Sequence, residues 1–280
     1  MSSQTAPTIT LSNGVTMPAL GFGTAPMNDA DTEKAVVLAI EAGYRLFDTA
    51  ENYRNEEGVG RAIKASSIDR AQVFVTTKFN AQWHGVEEAQ QAWANSASRL
   101  GLDYIDLLLI HWPNPAQDRY VDAWRGMTKL LEAGKVRAIG VSNFKPAHID
   151  RLIAETGVTP HVNQIQLNPR AIRRQEREYH AAHGIVTEAW SPIGGRGVGD
   201  LLEEPAVAVA AKAHEKTPAQ IVLRWHVQQG VIPVPKSANP DRMAQNLDVF
   251  GFELSEAEIS AISALDRGTE SVFDSERFGH

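Results

Sequence analysis

The amino-acid sequence predicts an α/β fold: a (β/α)8 TIM barrel with an N-terminal β-hairpin and additional helices near the C-terminus. Two observations support this prediction. Eight short apolar runs alternate with amphipathic segments along the 280 residues, and no linker interrupts the alternation. Barrels of this class commonly need about 250 residues. An open parallel sheet of six or seven strands is the main alternative. We expect a single domain over residues 1–280, with the hairpin at 1–18 and a tail at 266–280.

The first predicted element is the hairpin, because apolar residues alternate on both sides of Asn13-Gly14 in TITLSNGVTMPAL. An Asn-Gly pair favours a tight two-residue turn. The β-like runs that follow are rich in β-branched and aromatic residues. They predict barrel strands at residues 19–23, 44–49, 73–78, 105–111, 138–142, 162–167, 185–190 and 231–235.

Helical periodicity fills the intervals between these strands. Several of the helical segments are followed by glycine, which commonly ends helices. Between residues 205 and 229 the pattern predicts two helices that divide near Lys216-Thr217-Pro218. The other predicted helices cover residues 31–41, 57–64, 86–100, 120–132, 146–155, 175–183, 241–247 and 255–265.

Composition excludes several classes of function. The chain has 27 basic and 34 acidic side chains, a net charge of −7, which argues against broad binding of nucleic acid or anionic membranes. It contains no cysteine, so disulfides and thiolate catalysis are excluded. The N-terminus has no signal-peptide pattern, and no apolar run approaches the ~18 residues of a membrane span. We expect a soluble, cytoplasmic protein.

Ionisable side chains stand at the ends of three consecutive predicted strands. Asp48, Lys78 and His111 close strands two, three and four, and Tyr53 follows five residues after Asp48. Each has an ordinary alternative: a helix cap, a solvated lysine, a hydrogen-bonded core histidine. Barrel enzymes build their active sites at the carboxyl ends of the strands, so the joint occurrence favours one shared site.

These four side chains suit proton transfer to a carbonyl oxygen. A free tyrosine has a pKa near ~10, and a neighbouring Lys78 ammonium would lower it. Asp48 would keep Lys78 charged, and His111 would hydrogen-bond a substrate oxygen. The matching half of the reaction is hydride delivery, which requires a nicotinamide or flavin.

The motifs that surround these residues resemble those of the aldo-keto reductases over essentially the whole chain. They include GYRLFDTA-x-x-Y at 43–53, TTK at 76–78, LIHWP at 109–113, GVSNF at 140–144, NQIQLNP at 163–169 and PKS at 235–237. Two further motifs, TPAQ-x-VLRWH at 217–226 and NLDVF-x-F at 246–252, are similar to those of the bacterial 2,5-diketo-D-gluconate reductase branch.

The resemblance implies a catalytic tetrad of Asp48, Tyr53, Lys78 and His111, with Tyr53 as general acid, and NADPH (NADP+) as cofactor. It also implies a set of cofactor-binding residues that runs from the nicotinamide to the adenosine end. These are Gly23, Thr24, Asp48, Ser142, Asn143, Gln164, Trp190, Ser191, Ile193, Gly194, Leu201, Lys236, Ser237, Ala238, Arg242, Gln245 and Asn246.

Within this set, the positive charges of Lys236 and Arg242 predict a preference for NADPH over NADH, because they suit a 2′-phosphate. Gln245 stands where the resembled family commonly has glutamate. The glycine-rich segment 194–199 would either lie across the pyrophosphate or form a surface connection. Five residues on neighbouring loops are expected to contact substrate: Phe22, Asn52, Trp83, His111 and Trp112.

We therefore expect an NADPH-dependent reductase of small aldehydes, α-dicarbonyls or keto-sugars such as 2,5-diketo-D-gluconate. The predicted partner is a small carbonyl compound, with no nucleic acid, membrane or metal, and the resemblance favours a monomer. One alternative is a non-catalytic NADPH-binding scaffold or redox sensor. Another is a Schiff-base lyase, which would need a neutral Lys78. Phe273 and Phe278 in the tail would either fold over the pocket or remain loose.

Overall fold

The structure, a computed structural model, describes residues 5–195, 200–270 and 272–280. The strands are β1 (Thr8–Thr10), β2 (Thr16–Pro18), β3 (Phe22–Gly23), β4 (Leu46–Asp48), β5 (Phe74–Phe79), β6 (Ile105–Ile110), β7 (Val136–Ser142), β8 (Val162–Gln166), β9 (Val186–Trp190) and β10 (Ile232–Pro233). The helices are α1 (Asp29–Ala42), α2 (Glu56–Ala65), α3 (Val86–Leu100), α4 (Tyr120–Glu132), α5 (Pro146–Thr156), α6 (Arg174–Ala182), α7 (Pro205–Ala213), α8 (Pro218–Gln228), α9 (Pro240–Leu247) and α10 (Glu256–Ser263).

The strands β3 to β10 form one parallel sheet in which each strand pairs with the next along the chain. Two backbone hydrogen bonds join the first strand to the last. Gly21 N donates to Pro233 O and Gly23 N donates to Pro235 O, each over 3.0 Å. These bonds close the sheet into a barrel, which confirms the predicted fold and its eight strands to within a few residues.

The interior of the barrel is apolar at its amino-terminal end and polar at its carboxyl end. Leu46, Phe74, Leu107 and Val162 fill the lower interior, where the pleat directs alternate side chains inward. The hairpin adds Leu11 and Met17 to the same buried cluster. The hairpin therefore covers the amino-terminal opening and leaves the carboxyl end as the accessible one.

The predicted two-residue turn of this hairpin is wrong. Leu11 N donates to Val15 O over 2.8 Å and Gly14 N donates to Leu11 O over 2.9 Å, so residues 12–14 form a three-residue loop. Gly14 lies in the left-handed region at φ 84°. The last residue of a three-residue loop of this kind adopts the left-handed conformation. Glycine adopts that conformation without strain because it has no Cβ atom.

The predicted division between α7 and α8 is confirmed, and its cause is local. Thr217 N donates to Gln220 Oε1 over 3.0 Å, and Gln220 N donates to Thr217 Oγ1 over 3.3 Å. This reciprocal cap, with Pro218 in the first turn, begins a new helix at the predicted position.

Throughout the described ranges, every helix is too short or too polar to cross a bilayer.

Candidate active site

Four of the side chains singled out in the sequence meet at the carboxyl end of the barrel. Asp48 is the last residue of β4, Lys78 lies near the end of β5, and His111 directly follows β6. Tyr53 ends a 3-10 turn (Glu51–Tyr53) that begins three residues after β4. Since neighbouring parallel strands end at the same edge of the sheet, this arrangement follows from the strand register.

Lys78 is completely buried, and its ammonium group is fully bonded. Nζ donates to Asp48 Oδ1 over 2.7 Å, to Asp48 Oδ2 over 2.8 Å and to the carbonyl oxygen of Thr49 over 3.0 Å. Burial lowers the pKa of Lys78, whereas the negative charge of Asp48 and its hydrogen bonds raise it. The raising effects are together the larger, so the pKa lies above its usual value. Lys78 is therefore charged.

Tyr53 lies against this pair, with Lys78 Nζ 5.2 Å from the centre of its ring. Burial raises the pKa of the phenol, the Lys78 ammonium lowers it, and Asp48 raises it again. The net pKa is above the usual value. Lys78 thus lowers the pKa of the phenol as expected, but burial outweighs the ammonium. Tyr53 carries its proton at neutral pH, which is the state that an acid requires.

The ring of His111 faces the same space as Tyr53, and it is a neutral imidazole. Its ring meets the Tyr53 ring edge to face, with 5.8 Å between ring centres. Burial, then the charge of Lys78, holds the pKa of His111 well below its usual value. Its Nδ1 is buried and has no hydrogen-bond partner in the described part of the chain. A neutral ring beside the phenol is able to bind a substrate oxygen.

The predicted carboxamide-binding residues surround this group. Ser142 Oγ donates to Gln164 O over 2.9 Å, and Asn143 Nδ2 donates to His111 O over 3.2 Å. The indole nitrogen of Trp190 donates to Asn143 Oδ1 over 2.8 Å. The amide of Asn143 thus links the end of β9 to the loop after β6, and these side chains hold one another in place.

Gln164 connects the tetrad to a residue that the sequence reasoning missed. Its Nε2 donates to Asp48 Oδ2 over 2.7 Å and to Glu188 Oε2 over 2.8 Å. Glu188 lies in β9 and is completely buried. An acidic residue inside the strand VTEAW was the available signal, since a strand buried on both faces rarely carries one.

A cleft of about 550 Å³ opens beside Asp48 and Tyr53. Its lining includes seven of the predicted cofactor-binding residues: Gly23, Asp48, Trp190, Ser191, Ile193, Gly194 and Lys236. Ser142, Asn143 and Gln164, predicted to bind the carboxamide, are not among its lining residues. Thr24 lies behind the lining, because its buried hydroxyl donates to Asp48 O over 3.0 Å. Part of the glycine-rich segment, residues 196–199, lies outside the described residues.

A second cleft of about 670 Å³ continues from the first, since Ile193 and Lys236 line both. All six residues predicted for the adenosine end line it: Lys236, Ser237, Ala238, Arg242, Gln245 and Asn246. Within the described ranges, neither Lys236 nor Arg242 is ion-paired. Two free cations beside the amino-terminus of α9 form a set of donors that fits a phosphate.

Two predicted contact residues lie elsewhere. Phe22 is 1% exposed and packs edge to face on Tyr44 and Phe47, with ring centres 5.5 and 6.2 Å apart. Strand alternation places it on the outer, helix-facing side of β3, so its prediction as a substrate contact is wrong. Leu201 is also 1% exposed and packs within an apolar cluster, whereas the next residue, Leu202, lines the cleft.

The tail crosses the mouth of the site and adds aromatic rings to it. Phe273 stacks on Trp190, and Phe278 meets Trp112, with ring centres 6.2 and 4.8 Å apart. The ring of His280 lies 4.9 Å from that of His111. The tail therefore folds over the pocket.

Two ion pairs and a histidine contact at the start of α5 hold the tail in place. Lys145 Nζ lies 2.8 Å from Asp274 Oδ1 and 3.4 Å from Glu276 Oε1. His148 Nε2 lies 3.1 Å from the same Glu276 oxygen, but burial lowers the pKa of His148, so the positive charge comes from Lys145. The tail is thus attached by charge as well as by ring packing.

The other predicted substrate contacts lie at the same mouth. Asn52 Nδ2 is 2.5 Å from His280 Nε2. Trp112 is buried under the tail, whereas the indole nitrogen of Trp83 donates to Glu51 Oε1 over 2.8 Å. Trp83 therefore supports the turn that ends at Tyr53.

Comparison with known proteins matches this arrangement. The family model for the aldo/keto reductase family matches residues 19–267. The chain is 50% identical over 262 residues to 2,5-diketo-D-gluconic acid reductase B of a Corynebacterium species, covering 94% of each chain. It is 48% identical over 276 residues to methylglyoxal reductase DkgA of Yersinia pestis, covering 98% of each.

Solved structures agree. A Gox0644 mutant in complex with NADPH has a TM-score of 0.92 at 41% identity, covering 98% of both chains. An aldo-keto reductase of Bombyx mori in complex with NADP has a TM-score of 0.89 at 36% identity, covering 97% of this chain and 96% of the other. The match of sequence, fold and site over nearly the whole length shows that the chain belongs to the aldo/keto reductase family.

Proposed function

We propose that the protein reduces small aldehydes, α-dicarbonyls and keto-sugars such as 2,5-diketo-D-gluconate to alcohols, with Tyr53 as general acid. The class of enzyme is an NADP-dependent oxidoreductase of the aldo/keto reductase family. One observation carries the proposal on Tyr53: the buried ion pair of Lys78 and Asp48 lies beside the phenol of Tyr53 and the ring of His111, at the end of a long cleft.

The side chains divide the work of one proton transfer. NADPH, when bound, supplies the hydride that the carbonyl carbon accepts. As negative charge develops on the carbonyl oxygen, Tyr53 donates its phenolic proton to it. His111 hydrogen-bonds the same oxygen and orients it. Lys78 stabilises the resulting phenolate, and Asp48 holds Lys78 charged and in position.

The two clefts suit an extended dinucleotide. Lys236 and Arg242 would pair with a phosphate on the ribose, and Ser237 would donate a hydrogen bond to it. Trp190 would offer a ring surface to the nicotinamide, and Asn143 would act on the carboxamide. Structural neighbours in complex with NADPH and NADP support this assignment.

The substrate class rests on relatives and on the shape of the mouth. One relative is named for 2,5-diketo-D-gluconic acid and another for methylglyoxal, both of which carry adjacent or multiple carbonyl groups. The rings of Trp112, Phe273 and Phe278 narrow the mouth beside Tyr53. A narrow pocket favours small carbonyl compounds.

The charge of Lys78 argues against a Schiff-base lyase. A nucleophilic lysine must be neutral, whereas this ammonium donates to three acceptors and its pKa is raised.

The test compares the native protein with Tyr53→Phe. NADPH consumption is followed by absorbance against methylglyoxal, diacetyl, benzaldehydes and 2,5-diketo-D-gluconate, and NADPH binding is measured by fluorescence. We expect turnover to fall by about 10²- to 10⁴-fold in the variant while NADPH binding is retained. Equal turnover in both proteins would exclude Tyr53 as the acid. Tight NADPH binding without turnover of any compound would favour the non-catalytic scaffold.

A further inference from the structure

Glu188 is a buried carboxyl group for which the proposed reaction has no use. It lies opposite Gln164 of β8 and Ile232 of β10 in the strand register. Its Oε2 accepts one hydrogen bond, from Gln164 Nε2 over 2.8 Å. Its Oε1 is buried and has no hydrogen-bond partner among the described residues. Half of this carboxyl group is therefore unbonded.

The charged groups around Glu188 do not neutralise it. Asp48 is a second carboxylate on the other side of Gln164, and the hydrogen bonds that Lys78 donates within the described ranges reach Asp48 and Thr49 rather than Glu188. The β10 side contributes apolar side chains, Ile232 and Val234. An ionised Glu188 would be a second buried negative charge with one hydrogen bond, a costly arrangement.

A protonated carboxyl group avoids this cost. With the proton on Oε1, Oε2 still accepts the hydrogen bond from Gln164, and the buried cluster of Asp48, Lys78 and Glu188 has no net charge. Burial and the nearby Asp48 raise the pKa of Glu188 to about 8, although the hydrogen bond from Gln164 and the charge of Lys78 lower it. When Glu188 is ionised, its negative charge also raises the pKa of Tyr53.

We propose that Glu188 is a positioning residue of the active site that carries a proton in the resting enzyme. Through Gln164 it fixes the orientation of Asp48, and by its charge state it controls how strong an acid Tyr53 is. The kinetic part of this inference rests on the proposed function; the protonation of Glu188 does not. Outside the barrel interior, the buried carboxylate of Glu56 serves as a contrast, because Arg99 neutralises it at 2.6 Å.

The sign of the pH effect follows from the charges. Below about pH 8, Glu188 is neutral and Tyr53 is the stronger acid. Above it, the new negative charge raises the pKa of Tyr53, and a weaker acid protonates the carbonyl oxygen more slowly. We expect kcat for reduction to fall roughly threefold as the pH rises from 7 to 9, with a midpoint near the pKa of Glu188.

The first experiment needs no turnover. Infrared difference spectra of the ligand-free protein, native minus Glu188→Gln, should contain the C=O band of a protonated carboxylic acid at pH 7 that disappears near pH 8. The matched control is the difference spectrum of native protein minus Glu56→Gln, which should contain no such band. If the native protein lacks the band at pH 7, Glu188 is ionised and the inference is wrong. Should Glu188→Gln not fold, Glu188→Asp shifts the same band and assigns it.

The second experiment is the pH profile of kcat for native protein, Glu188→Gln and Glu56→Gln. The inflection near pH 8 should be lost in Glu188→Gln and retained in Glu56→Gln. Profiles that superimpose for all three would overturn the control of Tyr53 by Glu188. Absence of turnover with the band present would contradict the proposed reductase and leave the proton on Glu188 established, so the two failures are distinguishable.

Discussion

Two buried carboxylates, one at each end of the barrel, are stabilised in different ways. At the base, Asp106 accepts from Arg70 Nη2 over 2.6 Å, from Arg137 Nη1 over 2.7 Å and from Val75 N over 2.9 Å. The side chains of the two arginines are 21% and 38% exposed. At the reactive end, Asp48 is bonded to Lys78, which is 0% exposed.

The difference lies in the cation. At the base, the side chains of both arginines are partly exposed, so their positive charges are only partly desolvated. At the reactive end, both charges leave water together, and each is stable only because the other is present. A buried pair is therefore weak as a structural device but effective as an electrostatic one, because no solvent screens its action on Tyr53.

Removing the buried cation should have the largest effect. In Lys78→Met, Asp48 is left as an unpaired charge inside the barrel, which should lower the free energy of unfolding by about 3–5 kcal/mol. Loss of the ammonium beside Tyr53 should also lower kcat by at least roughly 100-fold. Urea unfolding and NADPH consumption measure the two effects. Native-like values of both would mean that the pair is dispensable.

The cations of the adenosine end test the opposite situation, because they are free within the described ranges. In Arg242→Ala, a charge-assisted bond to a phosphate is lost, and we expect the Kd for NADPH to rise by roughly 10- to 100-fold. The Kd for NADH should change little. Fluorescence titration with both cofactors checks this. An equal loss of affinity for both would show that Arg242 does not contact the distinguishing phosphate.

His84 extends the comparison to a buried group at the reactive end whose ring has no hydrogen-bond partner among the described residues. Both ring nitrogens are unbonded among the described residues, and burial lowers its pKa to about 4. Its folded-state pKa is below the unfolded value of ~6.5, so it contributes stability above pH 6.5 that is lost as the pH falls toward 4.

In His84→Phe this loss should be absent. Between pH 7 and pH 5, the native protein should lose about 2 kcal/mol more stability than the variant. Urea unfolding at the two pH values measures the difference. Parallel losses in the two proteins would mean that His84 binds no additional proton on unfolding.

The smallest effect is expected at the base. In Arg137→Met, Asp106 keeps Arg70 and the backbone donor Val75, and the lost cation was partly exposed. The free energy of unfolding should fall by only about 1 kcal/mol, with kcat unchanged. A loss as large as that of Lys78→Met would remove the distinction between the two ends.

The sequence predicts the positions of site residues that depend on strand order, but it does not predict the direction in which a side chain points. Asp48, Lys78 and His111 were found because each ends an apolar strand, and parallel register brings such ends together. Phe22 was misplaced because one residue along a strand changes the face to which a side chain points. Glu188 was missed because its importance comes from Gln164 on the neighbouring strand.

The tail shows a second limit. Phe273, Phe278 and His280 reach the site through ring contacts with residues that are distant in the sequence. No periodicity announces such contacts, since the segment is neither helix nor strand. Its acidic residues, Asp274 and Glu276, gain meaning only beside Lys145 and His148.

The attachment of the tail also bears on how the substrate specificity of such an enzyme can change. The groups proposed for proton transfer follow strands whose register is fixed by the whole barrel, whereas the aromatic rings that wall the mouth of the site come partly from residues 272–280. A change of sequence in that segment alters the wall without moving Tyr53 or Lys78. The residues for the reaction and those for substrate recognition can thus change independently. A library of variants mutated only in the tail offers a direct route to new substrate specificity.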